Sequence, residues 1–65
     1  MDRFSTVPAI HRIKEKIDQL AEEQDKALQT AIIFGMTPEE ARAYEGRRKR
    51  ITQLVEELFT LERVQ

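Results

Sequence analysis

Sixty-five residues allow one small domain, and a chain this short seldom stabilises itself on a single core without a disulfide, a metal or self-association. It has no cysteine and a single histidine, His11, so no cofactor or metal site is expected, and self-association or a partner is left as the source of further burial. Eleven basic residues against twelve acidic give a net charge of −1, which supplies no overall attraction to nucleic acid or anionic lipid.

Charged residues make up 35% of the chain while glycine and proline number two each, a mix that favours helix over sheet or disorder. The opening "MDRFSTVP" lacks the basic start and apolar stretch of a signal peptide. The longest apolar run, Ala31 to Phe34, is far short of the roughly 18 residues a membrane span needs. Together with the missing cysteines, these features lead us to expect a soluble cytoplasmic protein with no membrane partner. The leading Met1 points to a complete small protein.

The first helix is predicted over residues 8–34. Pro8 tolerates the first helical position, Val7 is pushed out of helical geometry by the proline after it, and Ser5 and Thr6 are nearby capping side chains. Ile10, Ile13, Ile17, Leu20, Ala27, Ala31 and Phe34 then recur in alternating steps of three and four, with Gln24 filling the vacant place in the row. Ala21 and Leu28 widen the stripe on one side.

A turn is predicted over 35–37. Gly35 supplies the left-handed conformation common just past a helix end, and Met36 folds back as the apolar contact that follows it. Thr37 is a suitable N-cap, Pro38 a suitable first residue, and Glu40 completes a T-x-x-E capping box. Glu39 and Glu40 also sit at the positive end of the new helix dipole.

The second helix, 38–63, carries Ala41, Tyr44, Ile51, Leu54, Val55, Leu58 and Leu61 along one side, with Phe59 at the edge. A connection this short makes antiparallel neighbours. Folding at Met36 sets Leu20 against Ile51, Ile17 against Leu54 and Val55, Ile13 against Leu58, and Ala27 and Ala31 against Tyr44 and Ala41. Phe4, Val7 and Val64 are placed to close the open end.

The fold class is therefore all-α, an antiparallel helical hairpin. Its apolar arcs are wider than one seam can cover, so a homodimer forming a four-helix bundle is expected. The expected oligomer interface is Ile10, Ile13, Ile17, Leu20, Ile51, Leu54, Val55, Leu58, Phe59 and Leu61. In this arrangement the chain resembles small hairpin proteins that dimerise into four-helix bundles, such as plasmid copy-control RNA-binding regulators; fold alone does not carry their function across.

The basic run Arg47 to Arg50 falls opposite "EEQD", Glu22 to Asp25. The expectation is a charge-matched polar layer, with Gln24 meeting Arg47 or Arg48 and with Arg47 and Arg48 both facing the seam. Lys49 and Arg50 point outward and, with Arg42, form the candidate nucleic-acid contact. No aromatic residue is interleaved for base stacking. Ile32, Ile33, Phe34 and Met36 crowd the corner, either plugging it or offering a contact patch to another protein.

Nothing in the sequence points to an enzyme. The carboxylate pairs Glu22–Glu23, Glu39–Glu40 and Glu56–Glu57 are adjacent, so they diverge on a helix and do not meet on one substrate atom. His11 lies off the centre of the stripe, at the surface or bundle edge. Tyr44 reads as a seam residue. The expected function is a non-enzymatic, self-associating protein–protein interaction module; the alternative is a nucleic-acid-binding regulator using the basic cluster of a dimer.

Overall fold

A computed structural model of the chain describes residues 3–64, and side chains over 7–63. Two helices, α1 (Arg3–Phe34) and α2 (Pro38–Val64), pack against each other as an antiparallel hairpin. Their Cα atoms extend 48 × 14 × 14 Å. No described helix is long and apolar enough to cross a membrane.

The start of α1 departs from the sequence reading. The helix begins at Arg3 and takes Pro8 inside it. A proline removes one N–H and crowds the carbonyl four residues earlier, here that of Phe4. So near the helix end, this disturbs one bond at a turn that is already open to water. The capping role expected of Ser5 or Thr6, and the closing role of Phe4 and Val64, concern side chains outside the described ones.

The turn follows its local rules. Gly35 has φ 77°, and its N–H donates to the Ala31 carbonyl at 2.8 Å, closing the end of α1. Met36 is half-buried. The Thr37 N–H donates to Glu40 Oε1, and the Glu40 N–H donates to Thr37 Oγ1, each at 3.1 Å. This reciprocal pair satisfies two amides that a helix start leaves open. The first α2 bond, from the Ala41 N–H to the Thr37 carbonyl, follows at 2.9 Å.

The seam itself is narrow. Among the described residues, only Leu20, Leu54 and Gln24 are buried. Ile10, Ile13, Ile17, Ala27 and Ala31 of α1 are half-buried, as are Tyr44, Ile51, Val55, Leu58 and Leu61 of α2. Ala41 is exposed rather than packed on Ala31. At about 100° per residue it lies roughly 140° round the helix from Leu54, too far to face α1.

A thin hairpin has much surface for its mass. The chain exposes 5298 Å², where a compact folded chain of this mass would expose about 4,300 Å².

Candidate functional site

The centre of the seam is polar. Gln24, 8% exposed, donates from Nε2 to the Tyr44 carbonyl at 2.9 Å. Its Oε1 accepts from Arg47 Nε, so both ends of the amide are satisfied by α2. The polar layer expected between the acidic and basic runs is thus one neutral amide and one guanidinium.

Where other members of the two runs pair, they do so within their own helix. Arg48 does not face α1; it binds Glu45, with its Nε 3.0 Å from both carboxylate oxygens. Three positions apart on one helix, these side chains are surface neighbours, a shorter reach than crossing the seam. Arg48 holds the Glu45 carboxyl below the ordinary glutamate range, chiefly through this hydrogen bond. Glu22 pairs with Lys26 at 3.4 Å, and Asp25 accepts from Gln29 at 3.4 Å. Arg42, Lys49 and Arg50 are exposed, and none has a carboxylate partner among the described residues. His11 pairs with Glu15 at 2.8 Å on the outer surface of α1.

The apolar residues outside the seam are more informative. Among the described residues, the exposed large apolar ones are Val7, Leu28, Ile32, Ile33, Phe34 and Phe59. Counting about 100° per residue from Leu20, Val7, Ile10, Ala21, Leu28 and Ile32 fall on one flank of α1, roughly 80–140° round. Counting the same way from Leu54, Tyr44, Val55 and Phe59 fall on the corresponding flank of α2. In two right-handed helices running in opposite directions, flanks of the same rotational sense share one side of the pair. The ion pair between Lys14 and Glu62, at 4.0 Å, joins these two flanks near the open end.

One side of the hairpin therefore carries a largely apolar face, interrupted by Lys14 and Asp25 of α1 and by Arg48 and Glu62 of α2. It holds four of the six exposed large apolar residues, with Ile32 84% and Phe59 62% exposed. The opposite side presents Lys16, Gln19 and Glu23 of α1 and Arg50, Gln53 and Glu57 of α2, all exposed. A shallow groove among Gln53, Glu56, Glu57, Thr60 and Leu61 runs along that polar side.

The corner divides. Met36 alone of its four apolar residues is half-buried. Phe34 does not plug the hairpin end and is 82% exposed; Ile33 points away from the seam and is exposed as well. Ile32 belongs to the apolar face. The sequence reading named Ala21, Leu28 and Phe59 as edges of separate stripes. It missed that the antiparallel turn merges the two edges into one surface, and it missed Lys14–Glu62, the pair that marks it. Numbering both helices outward from Met36 and marking each flank by its sense of rotation would have found both.

No protein-family model, curated protein or solved structure matches this chain.

Proposed function

We propose that this chain is a non-enzymatic protein–protein interaction module, a helical hairpin that self-associates as a homodimer and completes a four-helix bundle. The observation that carries the reading is the apolar face running the length of one side, opposite a polar one. The surface in excess of a compact chain is about 1,000 Å², and a standard interface covers about 800 Å² per partner. Pairing two such faces brings the exposed surface per chain to that of an ordinary small domain. Ile33 and Phe34 lie off the face and give the module a second apolar contact, at its tip. Size-exclusion chromatography with light scattering tests the reading: a species of twice the 7.6 kDa chain mass is expected. A folded species of single-chain mass would overturn it.

A second reading is nucleic-acid binding by Arg42, Lys49 and Arg50, favoured by their exposure without carboxylate partners among the described residues. A dimer would present the set twice. Fluorescence anisotropy with a labelled RNA or DNA oligonucleotide would then show binding that weakens steeply as salt is raised. No binding at low salt removes this reading.

A further inference from the structure

The apolar face is not uniformly apolar, and its charges restrict how a second copy can sit on it. Near the open end it carries Lys14 beside Glu62. Midway along, Asp25 of α1 and Arg48 of α2 lie on its two flanks, both exposed; Asp25 accepts from Gln29, and Arg48 holds Glu45 through Nε and Nη2, which leaves its Nη1 to reach a partner. The Gln24–Arg47 bond places these two at nearly the same height along the hairpin. Towards the corner come Leu28 and Tyr44, then Ile32 and Ala41. Towards the open end come Ile17 and Val55, then Ile10 and Phe59.

Two hairpins meeting face to face under two-fold symmetry have two arrangements. With the corners at opposite ends, α1 lies antiparallel on the partner's α1. Lys14 then falls on the partner's Leu28, and the two Arg48 guanidinium groups approach each other near the centre. With the corners at the same end, α1 lies antiparallel on the partner's α2. Each height then meets its own height: Leu28 the partner's Tyr44, Ile17 the partner's Val55, and Asp25 the partner's Arg48. Apolar groups meet apolar ones, and opposite charges meet twice. Like charges facing each other across an interface are strongly disfavoured, so charge pattern sets orientation.

We propose that two copies of this chain pack their apolar faces together with both corners at the same end, α1 of each along α2 of the other, and that Asp25 paired with the partner's Arg48 fixes this orientation. The inference rests on the self-association proposed above and adds its geometry. It also sets the two exposed Phe34 rings, and the two Ile33 side chains, at one end of the bundle.

The chain has no cysteine, so Glu39→Cys, at an exposed position beside the corner, gives a unique spin-label site. Light scattering first establishes the mass of the labelled protein. Electron–electron double resonance then reads the distance between the two labels. With corners together the labels are separated by the width of a bundle, roughly 25 Å. With corners apart they are separated by most of the 48 Å hairpin length, roughly 45 Å. A dimer with the long distance overturns the orientation and leaves self-association standing; a folded monomer overturns both. A charge exchange tests the contact itself. Asp25→Arg and Arg48→Asp should each weaken dimerisation about tenfold, and the double variant should recover it. A double variant as weak as the single ones would remove the proposed pair.

Discussion

Gln24 donates to the Tyr44 carbonyl at 2.9 Å and accepts from Arg47 Nε, so one α1 side chain holds successive turns of α2. An amide at the centre of an otherwise apolar seam fixes the vertical register, since a slip of one turn would leave it buried and unpaired.

The Gln24→Leu variant should therefore melt at the same temperature as the parent or higher, because Arg47 is half-exposed and can turn to water. What should be lost is uniqueness. Native mass spectrometry is expected to show several oligomers in place of one. A single species with lowered stability would argue that the amide acts mainly as a stabiliser.

Leu54 and Phe59 separate the seam from the outer face. Leu54 is 3% exposed within one hairpin, so Leu54→Ala should cost about 2–5 kcal/mol in chemical denaturation. Phe59 contacts little within the hairpin. Phe59→Ala should act on dimer packing, at about 3 kcal/mol, and sedimentation should show it dissociating at a higher protein concentration than the parent.

At the corner, Gly35→Ala and Thr37→Ala act by different physics. A Cβ at Gly35 meets nothing within 4 Å, so the cost is the left-handed backbone alone, about 1 kcal/mol. Thr37→Ala removes the cap to the Glu40 amide, at about 1 kcal/mol. Thermal melts should show the two losses, and Thr37→Ser should restore most of the second.

The Glu45–Arg48 pair has a definite sign with pH. The folded carboxyl is held below its ordinary value of 4.5, chiefly by the hydrogen bond from Arg48. The stability it contributes is thus fully present above pH 4.5 and is lost as pH falls through the lower, folded value. The stability difference between the parent and Glu45→Gln should be constant near neutrality and shrink in acid, and added salt should reduce it too.

The helical hairpin, its turn and the Gln24–Arg47 meeting were all legible in the sequence, because each rests on local rules or on one register count. Gly35, Thr37 and Glu40 each declare their role by residue type and spacing. The start of α1 was misread because proline's preference for a first turn was given more weight than the small cost of one lost bond near an end. Arg48 was misassigned because the charge runs were matched across the seam before the shorter reach to Glu45 was considered. Exposure at Phe34 was not legible, since a residue in the stripe's spacing can still lie past the end of its neighbour. The single apolar face needs the sense of rotation of both helices together, which no one-helix pattern contains.

Sedimentation velocity over a dilution series, with far-ultraviolet circular dichroism on the same samples, tests self-association most directly. At tens of micromolar the chain should sediment as a species of twice 7.6 kDa, and dilution should convert it to single chains with loss of helical signal. A fully helical species of 7.6 kDa at the same concentrations would contradict the account.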